Sequence, residues 1–128
     1  VALARVDRLD LATGCWTAMP PMPTARDDCA AAVVDGRIFA FGGVATNGQV
    51  LDSLEVFDLS REKWTRLLPM PSARHGCAVI AATHGLEAAQ GHKGFYVLGG
   101  CGPCDGAGEG GRPLPTADFF APGPAAAA

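Results

Sequence analysis

The sequence predicts an all-β fold assembled from repeated four-stranded antiparallel sheets. Three observations carry that prediction. Short apolar runs alternate with turn residues along the chain, each run too short for a stable helix. Unlike residue types recur at one offset: Trp16 and Trp64, Asp10 and Asp58, Pro21-Met22-Pro23 and Pro69-Met70-Pro71, Arg26 and Arg74, and Cys29 and Cys77 are each 48 positions apart. Gly42-Gly43 then returns as Gly99-Gly100 at an offset of 57, so about nine residues are inserted between the copies. A period in the forties with several strands per unit points to a propeller or a similar array.

Leu3–Asp10 aligns with the stretch ending at Asp58 as a third strand, with Arg8 where the later copy has Val56. Asp10 and Asp58 each open a tight turn, because an Asp carboxylate accepts hydrogen bonds from backbone N–H groups two residues on. Cys15–Met19 and Lys63–Leu67 are short fourth strands carrying the tryptophans. Pro20–Pro23 and Pro69–Pro71 end them, since proline cannot donate to a ladder. Cys29–Val34 is mostly alanine, a poor strand former. It is still expected as a strand, because Asp35-Gly36 closes it as a hairpin turn and small side chains suit strands converging on an axis. Cys77–Ala82 has the same character. Ile38–Phe41 and Phe95–Leu98 are apolar on both faces, as in a sheet covered on both sides. Leu54–Leu59 is the third strand of the middle copy. The last copy is degenerate: Cys101–Pro115 is a Gly- and Pro-rich loop, Ala117–Ala121 resembles a strand, and 122–128 is a low-complexity tail. The insertion, 84–93, falls between first and second strands.

The 128 residues suffice for one domain, and the 48% hydrophobic content contains no run near the roughly 18 residues that span a bilayer. A net charge of −3 lacks the basic stripe of a nucleic-acid surface. Neither a membrane nor a nucleic acid is therefore expected as a partner. Five cysteines, an odd count at repeat-related positions, do not make a disulfide framework. A reducing, cytoplasmic setting is expected, with Cys29 and Cys77 as small buried hydrophobes. The chain starts with Val, and the repeat register suggests a piece of a longer protein.

Four features taken together resemble kelch repeats. They are an apolar run ending in Gly-Gly, an aromatic-Asp pair (Phe57-Asp58, with Leu9-Asp10 weaker), a Trp six residues after the Asp, and a Met-Pro-x-x-Arg linker (Met22–Arg26 and Met70–Arg74). Phe57 stands where the family usually has Tyr. The resemblance covers roughly 5–100 and implies an incomplete kelch-type β-propeller built of four-stranded antiparallel blades. Residues 1–23 would end a preceding blade, 24–71 would be a complete repeat, and 72–121 a second, degenerate one. Cys29–Val34 and Cys77–Ala82 would be innermost strands. Arg26–Asp28, Arg74–Gly76 and the loops after Gly43 and Gly100 would gather at the channel mouth.

On that basis Arg26, Asp27, Asp28, Asn47, Arg74 and His75 are the candidate binding residues. Arg26 and Arg74 have a competing role, holding their linkers by bonding carbonyls or a carboxylate through five guanidinium donors. Gly42, Gly43, Phe57, Asp58, Trp16, Trp64, Gly99 and Gly100 are framework, and the aromatic rings are expected to pack between sheets. The implied function is a protein-interaction module, a scaffold or ubiquitin-ligase substrate receptor, whose other contacts are further blades or self-association. The ligase version needs an adaptor such as a BTB domain. The alternative is part of a propeller enzyme with most active-site residues in other blades.

Catalysis finds little support in these residues. There is no Gly-x-Ser-x-Gly, no phosphate loop and no catalytic pair of carboxylates, and Tyr96 alone supplies no copper site. No cofactor or metal is expected. Cys101-Gly-Pro-Cys104 is spelled like a thioredoxin active site, but that chemistry draws on a helix N-terminus, and Asp105–Gly111 is too glycine-rich for a helix. A zinc site would need two further ligands, and His84 and His92 belong at the other end of the blade. The plainer reading is a loop with two thiols.

Overall fold

The computed structural model describes residues 1–83, 93–104 and 111–120. Most of the insertion, part of the loop after Cys104 and the tail therefore lie outside the described residues. Within them the chain is all-β, and no helix is long and apolar enough to cross a membrane. The strands are β1 (Val6–Leu9), β2 (Trp16–Met19), β3 (Ala30–Val34), β4 (Arg37–Phe41), β5 (Leu54–Asp58), β6 (Lys63–Arg66), β7 (Ala78–Ala82), β8 (Gly94–Leu98) and β9 (Ala117–Phe120). They form three antiparallel meanders in chain order: β1-β2, β3-β4-β5-β6 and β7-β8-β9.

Turn chemistry fixes each hairpin. Asp35 and Gly36 join β3 to β4 with φ of 49° and 69°, the left-handed pair that matches the twist of a two-residue hairpin. At the β5–β6 turn the Asp58 carboxylate accepts from Ser60 N at 3.0 Å and Arg61 N at 3.1 Å. At the β1–β2 turn Asp10 accepts from Ala12 N at 2.8 Å and Thr13 N at 3.0 Å. These bonds favour the charged carboxylates. Asp58 lies below its ordinary pKa chiefly through the Ser60 hydroxyl, and Asp10 chiefly through the Thr13 and Ala12 amides.

The 48-residue repeat reappears in the backbone bonds that stitch each linker to the sheet before it. Met22 N donates to Ala4 O and Arg26 N to Leu3 O, both at 2.9 Å; Met70 N donates to Asp52 O at 2.8 Å and Arg74 N to Leu51 O at 3.1 Å. The alanine-rich strands β3 and β7 lie side by side at one edge of their sheets, the arrangement small side chains permit. The core fills the space between the second and third sheets: Phe39, Phe41, Leu54, Val56, Met70, Phe95 and Val97. The Phe95 ring sits 4.7 Å from Phe39 and 5.0 Å from Phe41, centroid to centroid. Each buried ring of this kind contributes about 2–3 kcal/mol.

The opposite face of the middle sheet carries Phe57 and Trp64, paired across β5 and β6 with rings 5.1 Å apart. Trp64 Nε1 donates to Pro20 O at 2.9 Å, locking the middle sheet to the first. Trp16 corrects an expectation: it is 68% exposed, not packed between sheets. Its cross-strand partner is Leu9 instead of an aromatic ring, and the described residues place no sheet against its outer side. Cys29 is likewise exposed and Cys77 half-buried. Each precedes its strand instead of lying within it.

Candidate functional site

The site is built on the two linker arginines. Arg26 is 4% exposed and Arg74 1%. Arg26 Nη1 donates to Gly42 O at 2.7 Å and Ser53 O at 3.0 Å, and Nη2 reaches Ser53 Oγ at 3.0 Å and Glu55 Oε2 at 3.1 Å. Arg74 repeats the pattern on Gly99 O, Thr116 Oγ1 and Asp118. Both therefore stand as buried anchors, which removes them from the candidate binding residues. A guanidinium with every partner inside the blade presents nothing to a ligand. Each ties the start of its repeat to the third strand of the same blade.

Glu55 and Asp118 are functional to the fold and escaped notice in the sequence. A charged residue inside LEVFD reads as the wet side of a strand, yet Glu55 is fully buried. It also accepts from Thr24 Oγ1 at 2.6 Å and Arg66 Nε at 3.2 Å. The usable pattern was Ser53-x-Glu55 against Thr116-x-Asp118, a hydroxyl and a carboxylate two positions apart in both third strands.

With the arginines fixed, the next residues emerge on one surface. Asp27 exchanges backbone bonds with Val44 at 2.9 and 2.8 Å, and His75 does the same with Cys101 at 3.0 and 2.9 Å. The double glycines make this possible. A Cβ on Gly43 would stand 2.6 Å from Asp27 O, and one on Gly100 2.5 Å from His75 O. Asp28 and Gly76, equivalent positions, both take positive φ, 52° and 60°. Gly76 N donates to Asp28 O at 3.0 Å, and His75 Nδ1 lies 2.8 Å from Asp28 Oδ2. The repeats are thus joined here by the Gly76–Asp28 and Gly43–Arg74 backbone bonds and one side-chain pair. Asn47 caps the loop that Val44 and Val50 close, accepting from Gln49 N at 3.0 Å, and stays exposed.

Of the six candidates, Asp27, Asp28, Asn47 and His75 reach this surface and the two arginines lie beneath it. Beside it, partial burial pushes the Cys77 thiol upward in pKa. No cluster of His, Cys, Asp and Glu among the described residues could hold a metal ion.

Successive antiparallel sheets of two, four and three strands, linked through Met-Pro-x-x-Arg, define a repeat scaffold among the described residues. Comparison with known proteins finds a likeness over the middle of the chain. Residues 25–71 match the family model described as the Kelch motif. Over 53 residues the chain is 42% identical to Kelch domain-containing protein 8B of Rattus norvegicus, a match covering 41% of this chain and 15% of the rat protein. Residues 25–71 thus carry a kelch motif, and the antiparallel sheets around them are consistent with incomplete kelch propeller blades.

Proposed function

We propose that the chain binds a protein partner through the mouth surface formed by Asp27, Asp28, Asn47 and His75, as a scaffold or a ubiquitin-ligase substrate receptor in the cytoplasm. Kelch repeats generally mediate protein–protein interactions. The observation that supports the site is the join at Asp28 and His75, which sets loops of two successive repeats on one exposed face. Loops held by a rigid scaffold are where binding concentrates. Two exposed aspartates give the face an acidic cast, which suits a partner offering lysine or arginine side chains.

The test is quantitative affinity purification with the wild type and with Asp27→Lys plus Asn47→Lys. Both side chains are exposed, so the fold is retained. Partners recovered with the wild type should fall by about tenfold or more with the double variant, the loss expected when one interface charge is reversed and a second cation is added beside it. An unchanged set of partners overturns the assignment of this face.

A further inference from the structure

Cys101 takes the place in the second repeat that Val44 holds in the first, and His75 takes the place of Asp27. The second repeat alone therefore sets a thiol beside an imidazole. His75 and Cys101 exchange both backbone bonds. In such a pair the two side chains leave the ladder on the same side, with Cα atoms about 5.5 Å apart. The ring is oriented, because His75 Nδ1 lies 2.8 Å from Asp28 Oδ2. With Nδ1–H donating to that carboxylate, Nε2 is the nitrogen left to accept a proton. A side chain starting at Gly111 would stand 3.1 Å from Cys101 Cβ and 3.5 Å from His75 Nε2. The thiol-bearing carbon and the free ring nitrogen thus both lie against Gly111, with the Gly102 carbonyl oxygen nearer still.

We propose that Cys101, His75 and Asp28 form a nucleophilic thiol site that exchanges with low-molecular-weight disulfides, with Cys104 as the resolving thiol. His75 Nε2 takes the Cys101 proton as its sulfur attacks one sulfur of the disulfide. The S–S bond breaks, a mixed disulfide forms on Cys101, and the departing thiolate takes the proton from the imidazolium. The Cys104 sulfur then attacks Cys101 Sγ, forming the Cys101–Cys104 disulfide, and the second thiolate leaves with the Cys104 proton. One disulfide is reduced to two thiols and one dithiol is oxidised. In a thioredoxin-type site a helix N-terminus helps form the attacking thiolate; here the Asp28-oriented imidazole performs that step. Asp28 acts through His75 and is a positioning residue. The site shares Asp28 and His75 with the proposed partner surface, but the partner test changes only Asp27 and Asn47, so the two readings can fail separately.

The test exposes the reduced protein to a small amount of 5,5′-dithiobis(2-nitrobenzoate) and quantifies modification at each cysteine by mass spectrometry. Cys15, exposed and remote, is the internal reference. Cys101 is expected to react on the order of tenfold faster than Cys15, as paired thiols do. The wild type should release two thionitrobenzoates per reagent, whereas Cys104→Ser should retain the mixed disulfide on Cys101. His75→Gln should bring Cys101 to the Cys15 rate without changing Cys15, and Asp28→Asn should slow Cys101, with Asp28→Glu restoring part of the rate. Equal rates at Cys101 and Cys15 in the wild type overturn the proposal with no variant required. A Cys101 rate indifferent to His75→Gln in a folded protein does the same, and fast labelling without release removes Cys104 from it.

Discussion

The Arg26 guanidinium meets the Glu55 carboxylate at 3.1 Å, and neither side chain reaches water. Two charges at that depth are costly to desolvate, so the pair is held by what surrounds it: the carbonyls of Gly42 and Ser53 on one side, the Thr24 hydroxyl on the other. Removing one partner leaves the other charged and buried. Arg26→Ala or Glu55→Ala should each cost about 3–5 kcal/mol in a urea titration. Replacing both, as Arg26→Met with Glu55→Leu, should cost less than the two single losses added together, because no orphan charge remains. Arg66 also pairs with Glu55 but from solvent, so Arg66→Ala should cost no more than about 1 kcal/mol. Strict additivity in the double variant would show that the two groups do not act as a unit.

The tryptophans offer the same residue at equivalent places with unequal burdens. Trp64 stacks on Phe57 and donates to Pro20 O across sheets, while Trp16 is largely in water. Trp64→Ala should destabilise by about 3 kcal/mol or more, and Trp16→Ala by about 0.5 kcal/mol. Acrylamide quenching of Trp64→Phe, which leaves Trp16 as the emitter, should be far stronger than quenching of Trp16→Phe. Similar quenching in the two single-tryptophan proteins would contradict the packing described.

This contrast shows where the sequence was informative. Strand order, hairpins and repeat register were legible because they rest on local chemistry: Asp35-Gly36 and Asp58 act within a few residues of themselves. The packing of Trp16 was not, because it depends on what stands across from it. Glu55 was missed for a related reason. Its partner Arg26 lies 29 positions earlier, and nothing in LEVFD signals that a cation arrives from outside the strand. Arg26 and Arg74 were placed at the right linkers with two roles open, and only burial separated anchor from contact. Cys101 looked like part of a thiol motif in a loop, while its neighbour His75 sits on a linker far away in the chain.

The Asp58 turn carries a pH dependence whose sign follows from its bonds. The folded carboxylate titrates below its unfolded value, chiefly because the Ser60 hydroxyl and the Arg61 amide favour the anion. Its contribution is therefore complete above the unfolded pKa, and it is lost as pH falls through the folded one. Asp58→Ala should be less stable than the wild type by a constant margin at neutral pH, and the margin should shrink below about pH 4. Denaturant titrations at several pH values on both proteins check this. A margin that widens in acid would reverse the assignment.

Gly42 and Gly99 separate backbone strain from steric collision. Both take left-handed φ, 56° and 61°, so alanine strains either by about 1 kcal/mol. Their surroundings differ. A Cβ on Gly42 would stand 2.2 Å from Arg74 O in the next linker and 3.2 Å from Leu51 O, whereas on Gly99 the nearest described atom is Leu114 O at 3.8 Å. Arg74 O cannot retreat, because it accepts from Gly43 N at 2.9 Å and its residue is anchored by a buried guanidinium. Gly42→Ala must therefore push one repeat from the next, at a cost of about 3 kcal/mol or more, while Gly99→Ala should remain near the strain alone. Thermal unfolding of the two variants reads the difference directly. Equal losses would mean that the first glycine of each pair is required for its dihedral angle only, and that the approach of successive blades is set elsewhere.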